Sequence, residues 1–277
     1  MVKFLASVIS STTLFALSLA LYLVSFALSA AAFASRSLSL RKVATSVVGS
    51  SMLVHLMSLT LLHSEQGQLP LTHPSGFFGT YALATFIYAL LACRRYDVEN
   101  TFFSFMVIPL IVLAGVFTMR PSAAPATHMG TTWLMIHLAA IVLSLAAFTV
   151  AFTAGVMLFI QDRLMKAKQF GFLMENLPPL HVLDELTYKN VSLGFISLSL
   201  GALLGFSGAP RAWGQVLPLD ARVVVSLLAW AMYGFYLHTR SRRGWRGRKL
   251  ALVSLGGFLV ILVTSLAASY QGGFHGS

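Results

Sequence analysis

Three histidines lie at the edges of long apolar runs or just beyond them: His137, His238 and His275. Neutral imidazole is a standard axial ligand of haem iron. A histidine in an apolar span is costly and usually has a partner or a function. We therefore take haem ligation as the first hypothesis. In the plainer alternatives, His137 hydrogen-bonds a neighbouring helix, His238 interacts with a helix terminus or lipid phosphate, and His275 is a solvated tail residue.

The composition indicates that these histidines are positioned by membrane helices. The 277-residue chain is 57% hydrophobic and 10% charged, whereas soluble domains carry about 25% charged residues. A spanning helix needs about 20 mostly apolar residues. Eight stretches qualify, at approximately 8–33, 44–63, 76–93, 102–119, 131–160, 190–207, 221–238 and 250–270. We predict an all-α integral membrane protein, a bundle of about eight transmembrane helices in one domain (1–277), with an N-terminal four-helix half (1–129) and a second half (130–277).

Basic residues fall in alternate loops, which sets the orientation. The rich set is Arg36, Arg41, Lys42, Arg94, Arg95, Arg163, Lys166, Lys168, Lys189, Arg240, Arg242, Arg243, Arg246, Arg248 and Lys249. The sparse set is Lys3, Arg120, Arg211 and Arg222. The positive-inside rule makes the rich side cytoplasmic and places both termini outside. We expect a protein of the cell (inner or plasma) membrane, with His137 and His275 near its outer face.

The net charge of +11 is explained by the basic residues that orient the chain in the membrane. We therefore expect no nucleic-acid partner. The basic cluster from Arg240 to Lys249 predicts contact with anionic lipid. A lesser alternative is attraction of haem propionates.

A second haem would pair His238 with His55, which lies in the second span. His55 is about 11 residues, or roughly 16 Å, from the cytoplasmic end of its span, whereas His238 is near that surface. Pairing them requires tilted helices or shifted span boundaries. The outer pair, His137 and His275, is therefore the first choice.

Four segments in the second half carry a family resemblance. They are WLMIHLAAIVLS around His137, LDELTYKNVSLGFISLSLGALLG (183–205), SLLAWAMYGFYLHTRSRRGWRG (226–247) and the terminal FHGS. In this order they resemble the CcsA, HemX and YpjD family of cytochrome c assembly proteins, over roughly residues 130–277.

The resemblance implies haem handling, either in cytochrome c maturation or in haem homeostasis. His137 and His275 match two outward histidines that ligate a haem b presented to apocytochrome c, and His238 matches a histidine of an intramembrane haem site. HemX- and YpjD-like chains also tend to have a histidine at the position of His55. Expected partners are haem, and apocytochrome c or another cytochrome c assembly membrane protein.

The stretch from Gly205 to Arg222 is predicted to be an outer loop. Trp213 is a candidate haem cover or interfacial residue, and Arg211 and Arg222 are candidate partners for the haem propionates. The family's tryptophan-rich loop is here reduced to Trp213, Gly214 and Asp220. HemX-like members have similarly reduced loops. The reduced loop weakens the expectation of direct haem transfer to apocytochrome c.

Three alternative functions belong to classes other than haem handling. One is a haem-free membrane partner that regulates tetrapyrrole synthesis or another membrane protein. A transporter is disfavoured because no carboxylate lies within a predicted span. A haem-based quinone or electron-transfer protein is the third. The sequence has no hydrolase, zinc-protease or ATPase motif, and we assign the chain no reaction of its own.

Overall fold

The computed structural model describes residues 10–67, 69–117, 119, 131–169, 171–213 and 221–271. Among these residues the secondary structure is entirely helical. The helices are α1 (Ser11–Ser35), α2 (Leu38–Gln66), α3 (Pro74–Arg95), α4 (Phe102–Val116), α5 (Thr131–Lys166), α6 (Phe172–Asn176), α7 (Leu180–Trp213), α8 (Ala221–Arg243) and α9 (Arg248–Gln271). Short 3₁₀ turns, Pro70–Thr72 and Glu99–Thr101, precede α3 and α4.

The predicted helical membrane bundle is confirmed. Six helices among the described residues are long and apolar enough to span a membrane: α1, α2, α3, α4 with its preceding turn, α5 and α7. The other two predicted spans correspond to α8 and α9, of 23 and 24 residues. The orientation and the outside location of both termini stay predictions.

Residues 1–125 form one compact unit and residues 126–277 another; the assignment of a single domain stays a prediction. In the first unit, α1 packs along α2, and α4 packs on α1 and α3. The side chain of Ser10 caps α1, and that of Ser37 caps α2, because a side-chain oxygen satisfies an amide left free at a helix start. The rings of Tyr22 and Phe86 stack in the core with centroids 3.9 Å apart.

The second unit is built on the long pairing of α5 with α7, against which α8 and α9 pack. Its core contains a second stacked pair, Phe148 and Tyr233, with centroids 3.8 Å apart. Two adjacent prolines, at 178 and 179, interrupt the helical structure of this unit. The helix α6 ends at Asn176, and α7 begins at Leu180, because proline lacks an N–H and constrains the residue before it.

One expectation is wrong in part. The predicted outer loop from Gly205 to Arg222 is helical up to Trp213, because α7 continues through these residues. A contact from α5 reaches α7 just before this stretch: the Trp133 indole donates a hydrogen bond of 3.1 Å to the carbonyl of Leu204. Tertiary contacts of this kind are invisible to a count of apolar residues.

Gly194 gives a stability prediction for the second unit. A Cβ at this position would lie 2.5 Å from Cε1 of Phe148, so Gly194→Ala must displace the ring stacked on Tyr233. We expect the free energy of unfolding to fall by about 2 kcal/mol, measured by thermal unfolding in detergent. Gly155→Ala is the matched control, since its Cβ would make only ordinary contacts, at 3.7 Å or more. Equal stability of the two variants would contradict the packing argument.

Candidate functional site

His137 lies in α5, six residues from its start and therefore about 1.7 turns into the helix. Its ring is half-buried against α7, and Nδ1 lies 2.7 Å from the carbonyl oxygen of Gly201. A carbonyl can only accept, so Nδ1 carries the proton and donates this hydrogen bond. The neutral ring then has its lone pair on Nε2.

Two glycines of α7 make room for this imidazole. A Cβ at Gly205 would lie 3.0 Å from Cε1 of His137 and 3.3 Å from Nδ1. Gly201, one turn earlier on the same face, supplies the carbonyl acceptor. Glycines four residues apart allow a helix to approach its neighbour closely in a membrane. The orientation of His137 is therefore set by backbone atoms of α7.

The other predicted site residues differ from His137 in exposure or in how far the structure describes them. His238 is exposed, near the end of α8. His275 lies outside the described residues. Arg211 and Trp213 belong to the last turn of α7, and Arg222 to the first turn of α8, but the side chains of these three lie outside the described part of the chain. Their roles stay predictions.

His55 lies in the first unit, completely buried in α2. Among the described residues neither of its ring nitrogens has a hydrogen-bond partner. Its ring contacts Phe15 and Tyr22 edge-on, with centroids 5.3 and 5.9 Å away. The hydroxyl of Tyr22 is also buried without a partner in the described residues. Buried polar groups are nearly always hydrogen-bonded, so this pair is a second candidate for ligand binding.

Tyr22→Phe tests what the unpaired hydroxyl does to stability. The phenylalanine keeps the ring stacked on Phe86, and removal of an unpaired buried hydroxyl should raise the free energy of unfolding by about 1 kcal/mol. The measurement is thermal unfolding of the haem-free protein in detergent. Tyr233→Phe is the control, because the hydroxyl of Tyr233 donates to the carbonyl of Ser254 at 3.5 Å, and its loss should be neutral or destabilising. If Tyr22→Phe were the more destabilising variant, its hydroxyl would have a partner of its own.

The donor chemistry of these histidines is compatible with an axial ligand of haem iron. Within the described residues no group of three or more His, Cys, Asp or Glu side chains is placed to hold a metal ion. An axial haem ligand needs only one imidazole per face, because the porphyrin supplies the other four nitrogens. His137, with Nδ1 fixed and Nε2 available, meets this requirement.

The sequence interpretation missed the ion pair between α7 and α8. Asp184 accepts two hydrogen bonds from the guanidinium of Arg240, at 3.1 and 2.9 Å, and a third from the backbone N–H of Gly247, at 2.9 Å. We call these three residues the Asp184 clamp. The only sequence signal is an acidic residue beside the start of an apolar run.

Comparisons with known proteins agree with this architecture. The chain matches the model of the family described as cytochrome C assembly protein over residues 11–275. It is 28% identical over 251 residues to "Cytochrome c biogenesis protein CcsA" of Prochlorococcus marinus (strain MIT 9215), covering 79% of this chain and 80% of that relative. The protein of the same name from Chlamydomonas reinhardtii is 28% identical over 243 residues, covering 83% of this chain and 66% of the relative. That of P. marinus (strain MIT 9313) is 27% identical over 266 residues, covering 84% and 83%.

Proposed function

The chain belongs to the cytochrome c assembly protein family, and on this premise we propose that it holds haem b non-covalently, with His137 as an axial ligand. It is an integral membrane protein with a role in cytochrome c biogenesis. Haem is here the cargo and supplies the iron that becomes redox-active in the mature cytochrome. The protein's part is to bind, orient and shield it.

The hydrogen bond from Nδ1 of His137 to the carbonyl of Gly201 carries the proposal. Metal-ligating histidines almost always donate the other ring N–H to a carbonyl, carboxylate or water, which fixes both the tautomer and the ring orientation. The bond to Gly201 has this form. It leaves Nε2 as the ligating atom.

His275 is the proposed second axial ligand, by the resemblance of the terminal FHGS to the family's final histidine. Arg211 and Arg222 are proposed to bind the propionates, since a guanidinium fork matches a carboxylate. Trp213 is proposed to cover the macrocycle. We propose that this site faces the outer side of the cell membrane and that apocytochrome c, or another cytochrome c assembly membrane protein, is the partner.

A second haem ligated by His238 and His55 is proposed at lower priority. The two unpaired ring nitrogens of His55 support it as a ligand. The exposure of His238 leaves its imidazole accessible. The two residues belong to different units, so their pairing rests on the family resemblance alone.

A haem-free regulatory partner is the second candidate, favoured by the loss of the family's tryptophans around Trp213. The deciding experiment is an absorption spectrum of the full-length protein purified in detergent, oxidised and reduced. We expect a Soret band and, on reduction, sharp α and β bands of low-spin haem. A colourless protein that also fails to take up added haemin would overturn the haem proposal in favour of the regulatory one.

A further inference from the structure

The connection between α8 and α9 carries an uncompensated positive charge. Four basic side chains are exposed in the segment Arg242–Lys249, which comprises the end of α8, the turn after it and the start of α9, and which we call the basic loop. They are Arg242, Arg243, Arg246 and Lys249. Within the described part of the chain, none of them has an acidic side chain within salt-bridge distance.

The two acidic residues that contact this part of the chain are already paired. Asp184 is bound by Arg240, whose guanidinium also lies over the ring of Tyr188, 4.2 Å from its centroid. Asp162 is bound by Lys166 at 2.7 Å and lies 3.9 Å from Arg248. The charge of the basic loop is therefore left for a partner outside the described residues.

The basic loop has a defined shape, unlike a simple run of charges. The backbone turns at Gly244 and Gly247, with φ of +62° and +63°, a conformation that glycine adopts without strain. Asp184 holds the second turn through the N–H of Gly247. The clamp therefore ties α8, through Arg240, to the turn before α9, through Gly247, and so fixes the two helix ends and the turn that carry the four cations.

Aromatic residues place the loop at the edge of the bilayer. Trp245 is half-buried, with Phe235 edge-on at 6.4 Å and the ammonium of Lys249 5.6 Å from its ring centroid. Phe235 itself is 49% exposed on α8, as a lipid-facing side chain would be. Arg242 follows Phe235 by two turns of helix, roughly 10 Å. Tryptophan and tyrosine are typical of the interface in membrane proteins, so these aromatic contacts favour a position near lipid headgroups.

We propose that the basic loop is a binding site for the phosphate group of an acidic phospholipid, shaped by the Asp184 clamp. Arginine forks bind phosphate oxygens bidentately, and Trp245 packs at the headgroup–chain boundary. A free phosphate ion shares this chemistry but has no acyl chains to contact α8.

The test is native mass spectrometry of the full-length protein in detergent, titrated with phosphatidylglycerol or phosphatidylcholine of identical acyl chains. We expect phosphatidylglycerol to bind at least about tenfold more tightly. The triple variant Arg242→Gln, Arg243→Gln, Arg246→Gln should lose this preference. The control Lys42→Gln, Arg95→Gln, Lys168→Gln removes the same charge from exposed positions elsewhere and should retain it.

Asp184→Asn separates a shaped site from diffuse attraction. The substitution removes one negative charge and so makes the net charge more positive. Diffuse attraction then predicts tighter binding of phosphatidylglycerol, whereas a loop held by the clamp predicts weaker binding. Gel filtration checks that the variant is folded. Tighter binding in this variant, equal affinity for the two lipids, or equal losses in both triple variants would each overturn the proposal. Complete displacement of the lipid by excess inorganic phosphate would identify a free anion as the ligand and overturn the lipid assignment.

Discussion

Replacing His137 by alanine is expected to abolish the low-spin haem spectrum of the purified protein. The change removes the nitrogen that we propose as an axial ligand, and even loss of a residue that only orients a ligand costs 10- to 100-fold in metal affinity. We expect haemin affinity to fall by about 100-fold or more, measured by titration followed at the Soret band. His275→Ala should remove or weaken the same bands. Full retention of the reduced spectrum in both variants would contradict the assignment.

Gly205→Ala tests the orientation of the ring with the imidazole still present. The new Cβ would lie 3.0 Å from Cε1 of His137, so the ring must turn or α7 must move away from α5. We expect haemin affinity to fall by about tenfold, with altered α and β bands. Gly256→Ala is the control in the same unit, because its Cβ would make one ordinary contact, 3.5 Å from Met232. If Gly205→Ala bound haemin as the wild type does, the contact with α7 would not position the ligand.

The second large effect is on stability. Asp184→Ala should lower the free energy of unfolding by about 3 to 5 kcal/mol, because it leaves the guanidinium of Arg240 buried without its counter-charge. The side chains of this pair are only 14% and 17% exposed, so solvent screens them little. The N–H of Gly247 loses its acceptor in the same change. The measurement is equilibrium unfolding in mixed detergent micelles.

Two comparisons make the stability prediction specific. Asp162→Ala breaks a pair whose Lys166 side chain is 63% exposed, and exposed pairs contribute at most about 1 kcal/mol. In the double variant Asp184→Ala, Arg240→Ala the loss should be smaller than the sum of the single losses, because no unpaired charge remains. An effect of Asp184→Ala no larger than that of Asp162→Ala would refute the clamp's role.

The helices were predictable from composition because a membrane admits few alternatives. A chain in lipid must satisfy its backbone internally, so each long apolar run becomes a helix, as α1 and α5 show. The break before α7 was predictable for the same kind of local reason, from two adjacent prolines. The end of α7 was not predictable, because no residue near Gly205 marks where the helix continues or stops, and the contact from Trp133 to Leu204 joins residues 71 apart in sequence.

The candidate site was likewise predictable only where the signal is local in sequence. His137 was recognisable because a histidine in an apolar run is rare, but its acceptor, Gly201, is 64 residues away in sequence. Residue spacing shows which side chains share one face of a helix. It does not show which face of another helix those side chains contact. The glycines at 201 and 205, four residues apart, were the one available signal of close packing. Arg240 was assigned only to the cytoplasmic side, and its pairing with Asp184 depends on how α8 packs against α7.

The clamp also constrains how the protein is made. Asp184 leaves the ribosome 56 residues before Arg240 and 63 before Gly247. During synthesis, α7 therefore enters the membrane with a carboxylate that has none of its final partners, and it stays so until α8 and the following loop have emerged. A chain that stops within this interval retains an unneutralised acidic group beside an apolar helix.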